Sequence, residues 1–105
     1  MKMHNPPHPG DILKELYIVP LKLKQADVAK GLGVTTKALS QLINAHTGIS
    51  ISMSLKLAEA FNTTPEYWLN LQQQHDIFTQ NQTFDAKLIT HFYDKEQEQA
   101  TLQHA

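Results

Sequence analysis

The chain has 105 residues, nine basic and ten acidic side chains and a formal net charge of −1, which allows one modest core and no global pull toward a polyanion. There is no cysteine, so a disulfide framework and thiolate metal sites are excluded, in keeping with a reducing cytoplasm. The opening MKMHNPPHPGD lacks the apolar run of a secretory signal, and no stretch approaches the ~18–20 apolar residues of a membrane span, so a cytoplasmic location is expected. Charge is unevenly spread. Residues 1–65 carry seven lysines against Asp11, Glu15, Asp27 and Glu59, a balance of +3, and residues 66–105 carry two lysines against six carboxylates, a balance of −4. A mildly basic front and an acidic back suit a module with one face for polyanion and another for protein.

The prolines of NPPHP keep residues 1–9 from being helical, and Pro9 suits an early position of a helix over about 9–19. Its apolar stripe is Ile12, Leu13, Leu16 and Tyr17, and Pro20 stops it. A second helix is expected over about 24–32, with Val28, Ala29 and Leu32 inward and Gly33 breaking it. A third, about 35–45, takes Thr35 as N-cap and buries Leu39, Leu42 and Ile43. The loop HTGISI offers Gly48 for a positive φ, and Ser52 caps a fourth helix of about 52–62 containing Met53, Leu57, Ala60 and Phe61. Thr64, Pro65 and Glu66 form the start of a fifth helix, about 65–79, with Tyr67, Trp68, Leu69, Leu71, Ile77 and Phe78. Beyond the polar break TQNQT, the four-residue spacing of Phe84, Leu88 and Phe92 hints at a short sixth helix, although LITHFY would serve equally as a strand. The fold class is therefore all-α, a helix bundle of about five helices with a C-terminal extension: a domain over 1–80 and an extension over 81–105.

The second and third helices carry the functional signal. Ala29 must be small because the next helix crosses over it, Gly33 permits a sharp turn, and Val34, Leu39 and Leu42 insert back into the core. Thr36, Lys37, Ser40, Gln41 and Asn44 then project along one polar face. This pattern over about 21–62 resembles the helix-turn-helix of the phage-repressor class (Cro/cI, or XRE type). The flanks narrow it: HPGDILKE at 8–15, NAHTGIS at 44–50 and TTPEYWLNLQQQHD at 63–76 resemble the HigA family of antitoxins, also labelled VapI-like virulence-associated proteins. The resemblance implies a lambda-repressor-like, dimeric, DNA-binding antitoxin that neutralises a co-expressed HigB-type ribonuclease toxin and represses its own operon.

In a helix-turn-helix the first residues of the recognition helix enter the major groove while the preceding helix crosses the backbone. That places Thr36, Lys37 and Gln41, with Ser40 at the margin, on base edges: Gln pairs with adenine, Lys with guanine, and the Thr methyl meets thymine. Gln25, Thr35, Asn44 and Thr47 fall to phosphates of double-stranded operator DNA. The sequence departs from the family at Thr36, His46 and Thr47, where arginine is common, and at Ala45, where glycine is usual. Fewer cations release fewer counterions, so an A/T-leaning operator and reliance on dimer avidity are expected. A two-fold homodimer matches half-sites about one DNA turn apart, with the seam assigned to Leu69 and Leu71 and Trp68 to the core.

Other chemistry finds no support. His4 and His8 are separated by two prolines and cannot share a helical metal site, so no metal or cofactor is expected. No cysteine or paired Ser-His-Asp pattern points to nucleophilic catalysis, so an enzyme is not expected. Asp94, Glu96 and Glu98 read as a solvated tail, with contact to a basic toxin as the other use. Two rival functions remain: a stand-alone XRE-type regulator without a toxin, and a protein-interaction module that has lost DNA binding.

Overall fold

A computed structural model describes residues 5–93, which form five helices and a closing 3₁₀ turn, with no strand among the described residues. Helix α1 begins as an α-helix over Pro9–Ile12 and continues as a π-helix over Leu13–Ile18. Helices α2 (Gln25–Leu32), α3 (Thr36–Ile43), α4 (Ile51–Phe61) and α5 (Pro65–Asn81) follow. None is long and apolar enough to cross a membrane.

The start of α1 is set by Pro9 in the first turn and by His8, whose ring accepts a hydrogen bond from the Gly10 N–H. Gly10 is obligatory for a steric reason, since a Cβ there would overlap the Leu42 carbonyl. The N-terminal turn of α1 thus rests directly on the backbone at the end of α3. The π segment then changes the facing of the side chains. The Val19 N–H reaches five residues back to the Lys14 carbonyl at 2.9 Å, and the Leu23 N–H to the Ile18 carbonyl at 3.0 Å. The wider turn brings Leu13 and Ile18 together inside and rotates Leu16 outward to 58% exposure. The expected stripe holds for Ile12, Leu13 and Tyr17 and fails at Leu16, because its spacing presumed 3.6 residues per turn.

The two central helices follow their sequence closely. Gly33 ends α2 in the left-handed region at φ 73°, and the Val34 N–H closes back on the Ala29 carbonyl at 3.0 Å. Ala29, Leu39 and Leu42 are almost fully buried, so each side of the steep crossing is filled. Helix α4 starts one residue earlier than its expected position. Its cap is Ser50, which accepts from the Met53 N–H at 3.0 Å, and Ser52 lies exposed inside the helix. Ser54 is fully buried and donates to the Ile51 carbonyl, while Ala60 faces out.

Thr64, Pro65 and Glu66 open α5 as expected, and Trp68 is its one fully buried residue. The Trp68 indole N–H donates to the Thr63 hydroxyl at 2.7 Å, and the rings of Tyr17 and Tyr67 stand 5.5 and 5.1 Å from it. Leu69 and Leu71 are half-buried against the same core. Past α5 the expected sixth helix is replaced by a 3₁₀ turn over Ala86–Leu88, and the alternative strand does not form. Every residue from 81 to 93 is exposed, including Phe84, Leu88 and Phe92, so no apolar face supplies the packing a short helix needs. The tail carboxylates Asp94, Glu96 and Glu98, and His4, lie outside the described residues.

Candidate nucleic-acid interface

Helix α3 divides cleanly into two faces. Leu39, Leu42 and Ile43 are at most 3% exposed, whereas Thr36, Lys37, Gln41 and Asn44 are exposed and Ser40 is half-buried. Positions 36, 37, 40, 41 and 44 repeat at helical spacing, so five polar side chains form one stripe over an apolar anchor. Among the expected base-reading residues, Thr36 and Lys37 occupy the first turn and Gln41 the second, all free to reach outward. Ser40 is less available, because its hydroxyl accepts from the Asn44 amide at 3.3 Å.

The phosphate candidates divide in the same way. Thr35 is exposed, but its hydroxyl is engaged as the α3 N-cap, accepting from the Ala38 N–H at 3.0 Å. The backbone N–H groups of Thr36 and Lys37 open the helix beside it. Gln25 is the exposed first residue of α2, a helix with no side-chain cap on its first turn. Its leading N–H groups therefore remain available to an anion, the situation helix N-termini exploit for phosphate. Asn44 and Thr47 are exposed on the turn that follows α3.

The segment 44–50 departs from expectation in its backbone. Gly48 was the residue expected at positive φ, yet the left-handed residue is Ala45, at φ 61°. Gly48 serves closeness instead, since a Cβ there would lie 3.0 Å from the Gln72 side chain. Gln72 of α5 accepts from the Ile49 N–H at 2.8 Å and donates to Asp76 at 2.9 Å, tying the loop to the body. His8 is buried against α5, its ring edge-on to that of His75 with centroids 5.0 Å apart. Sequence reasoning missed Gln72, His75 and the structural role of His8. The only available hint was that HPG and LQQQHD are polar insertions at the ends of apolar segments.

Lysines supply all nine basic residues, so the chain has no arginine. The stripe contains one cation, Lys37, and otherwise hydroxyls and amides. It can therefore form directional hydrogen bonds and methyl contacts in a groove, with little bidentate grip on phosphate.

A buried scaffold that presents one polar helix, crossed by a second helix with open N–H groups, defines a helix-turn-helix module. Residues 13–68 match the family described as helix-turn-helix. An uncharacterised HTH-type transcriptional regulator of Haemophilus influenzae is 41% identical over 78 residues, 74% of this chain and 73% of the relative. Antitoxin HigA-1 of Vibrio cholerae is 30% identical over 82 residues, 76% of this chain and 77% of the relative. Among solved structures, antitoxin GraA in complex with its operator superposes with a TM-score of 0.78 at 31% identity, covering 90% of this chain and 98% of that one. The chain belongs to the XRE-type helix-turn-helix regulators, in the group that includes the HigA antitoxins.

Proposed function

We propose that the protein is a homodimeric repressor-antitoxin. It binds double-stranded operator DNA upstream of its own gene and neutralises a HigB-type ribonuclease toxin encoded beside it. The observation that carries the DNA reading is the division of α3: Leu39, Leu42 and Ile43 locked inside, Thr36, Lys37 and Gln41 free outside. Thr36, Lys37 and Gln41 take base edges, while Gln25, the N–H groups beside Thr35, Asn44 and Thr47 take phosphates. With few cations, binding depends on two linked half-sites, joined along the half-exposed side of α5 at Leu69 and Leu71. The toxin part draws its support from the antitoxin relatives and leans on no surface of this chain.

A mobility-shift titration on the DNA immediately upstream of the gene tests the first part, and co-purification with the neighbouring gene product tests the second. Retarded DNA together with a co-purifying small basic protein is expected. Retarded DNA with no co-purifying partner favours the stand-alone regulator, a reading supported by the regulator name carried by the Haemophilus relative. A folded dimer that leaves the DNA unshifted at low salt removes the repressor reading and leaves a protein-interaction module.

A further inference from the structure

His8 is 6% exposed and joins the start of α1 to α5. Its Nδ1 accepts from the Gly10 N–H at 2.9 Å and so caps α1. Its ring meets that of His75 of α5 edge-on, with centroids 5.0 Å apart. His75 in turn bonds through Nδ1 to the Pro6 carbonyl at 3.1 Å, and because a carbonyl only accepts, that nitrogen carries the proton. Two residues past His8, Gly10 lies against the Leu42 carbonyl at the end of α3.

We propose that His8 is a positioning residue for DNA binding: as a neutral imidazole it caps the turn that seats Gly10 on the end of α3, which keeps the following segment with Asn44 and Thr47 in its DNA-facing place, and protonation releases it. The inference rests on the DNA reading of α3. Capping by Nδ1 requires a lone pair on that nitrogen. A proton there turns the acceptor into a donor facing the Gly10 N–H, so the cap is lost. The cation also faces His75 across a short ring contact in a buried site.

The charges around His8 are known from each element packed on it. Asp11 on α1 and Asp76 on α5 favour the cation, whereas burial and His75 oppose it. Burial is the largest effect, and the outcome is a pKa lowered from the usual 6.5. The sign follows. A histidine with a depressed native pKa contributes fully above its unfolded value, and the contribution is lost as pH falls below 6.5 toward the native value.

The test pairs the wild type with His8→Asn, whose amide oxygen can cap the Gly10 N–H two residues on and cannot titrate. Fluorescence anisotropy on a labelled duplex of the upstream DNA gives affinities at about pH 7.5 and about pH 5.5. ¹⁵N NMR over the same range follows the Gly10, Ile43 and Thr47 amides without DNA. Expected for the wild type is a fall in affinity of roughly fivefold or more on acidification, with the three amides shifting together in one step below pH 6.5. His8→Asn should lose less affinity than the wild type between the two pH values, whatever its affinity at the higher one, and show flat amides. His46, exposed on the same loop, is common to both proteins and cancels in the comparison.

Equal pH ratios for the two proteins overturn the proposal, as do amides that do not move with His8. A wild type that binds the duplex at neither pH overturns the DNA reading itself. The amide titration then still decides whether His8 holds the loop.

Discussion

The helix-turn-helix proper, residues 25–43, and the segments packed against it, 5–18 and 44–50, obey different rules. Inside the motif, local features suffice: an αL glycine, a threonine cap and apolar residues at helical spacing all act where their sequence positions place them. In the flanks, tertiary contacts decide. A π-helix turns Leu16 outward, an alanine takes the left-handed position, and a histidine serves as helix cap. The lesson is that the exposed polar stripe of α3 is encoded locally, whereas the frame that holds it is built from distant residues, chiefly His8 of the N-terminal segment and Gln72 of α5.

Five substitutions probe that contrast, beginning with the largest effect. Leu39→Ala should cost about 2–5 kcal/mol in urea unfolding, because a fully buried side chain leaves a cavity. Gln41→Ala, two residues away on the exposed face, should change stability by no more than about 0.5 kcal/mol. Equal losses at the two positions would erase the division of α3 into anchor and reader. Gly10→Ala comes next, at about 1–3 kcal/mol, since the added methyl meets a backbone carbonyl rather than a pliable side chain.

Ala45→Gly acts in the opposite direction. Relief of the left-handed strain, less the entropy of an added glycine, predicts a gain of about 0.5–1 kcal/mol in the same unfolding assay. A loss would show that the strain is imposed by something other than the alanine Cβ. Leu16→Lys, like Gln41→Ala, is expected within about 0.5 kcal/mol of the wild type because the side chain already faces solvent. A large loss there would mean that the π segment reverts to α-helix in solution.

Much of this was legible in the sequence. The five helices, the core role of Trp68 and the exposed stripe on α3 follow from periodicity, caps and breakers, which act over a few residues. The π segment was not legible, because its spacing also fits an α-helix until Ile18 claims the inside. Nor was the choice between Ser50 and Ser52 as cap, two serines whose local contexts barely differ. Phe84, Leu88 and Phe92 carry a helical spacing without the packing partner that would make it effective. Ala45 takes the left-handed position expected of Gly48, and the tight space beside Gly48 is set by Gln72, 24 residues further along the chain.

The central claim is that the outward face of α3 reads DNA while its inward face holds the fold. The most direct test compares the wild type with the double variant Lys37→Ala/Gln41→Ala on a labelled duplex of the upstream DNA, with thermal unfolding followed in parallel. The account predicts a loss of affinity of roughly tenfold or more with the unfolding midpoint unchanged. Undiminished binding by the double variant would contradict it.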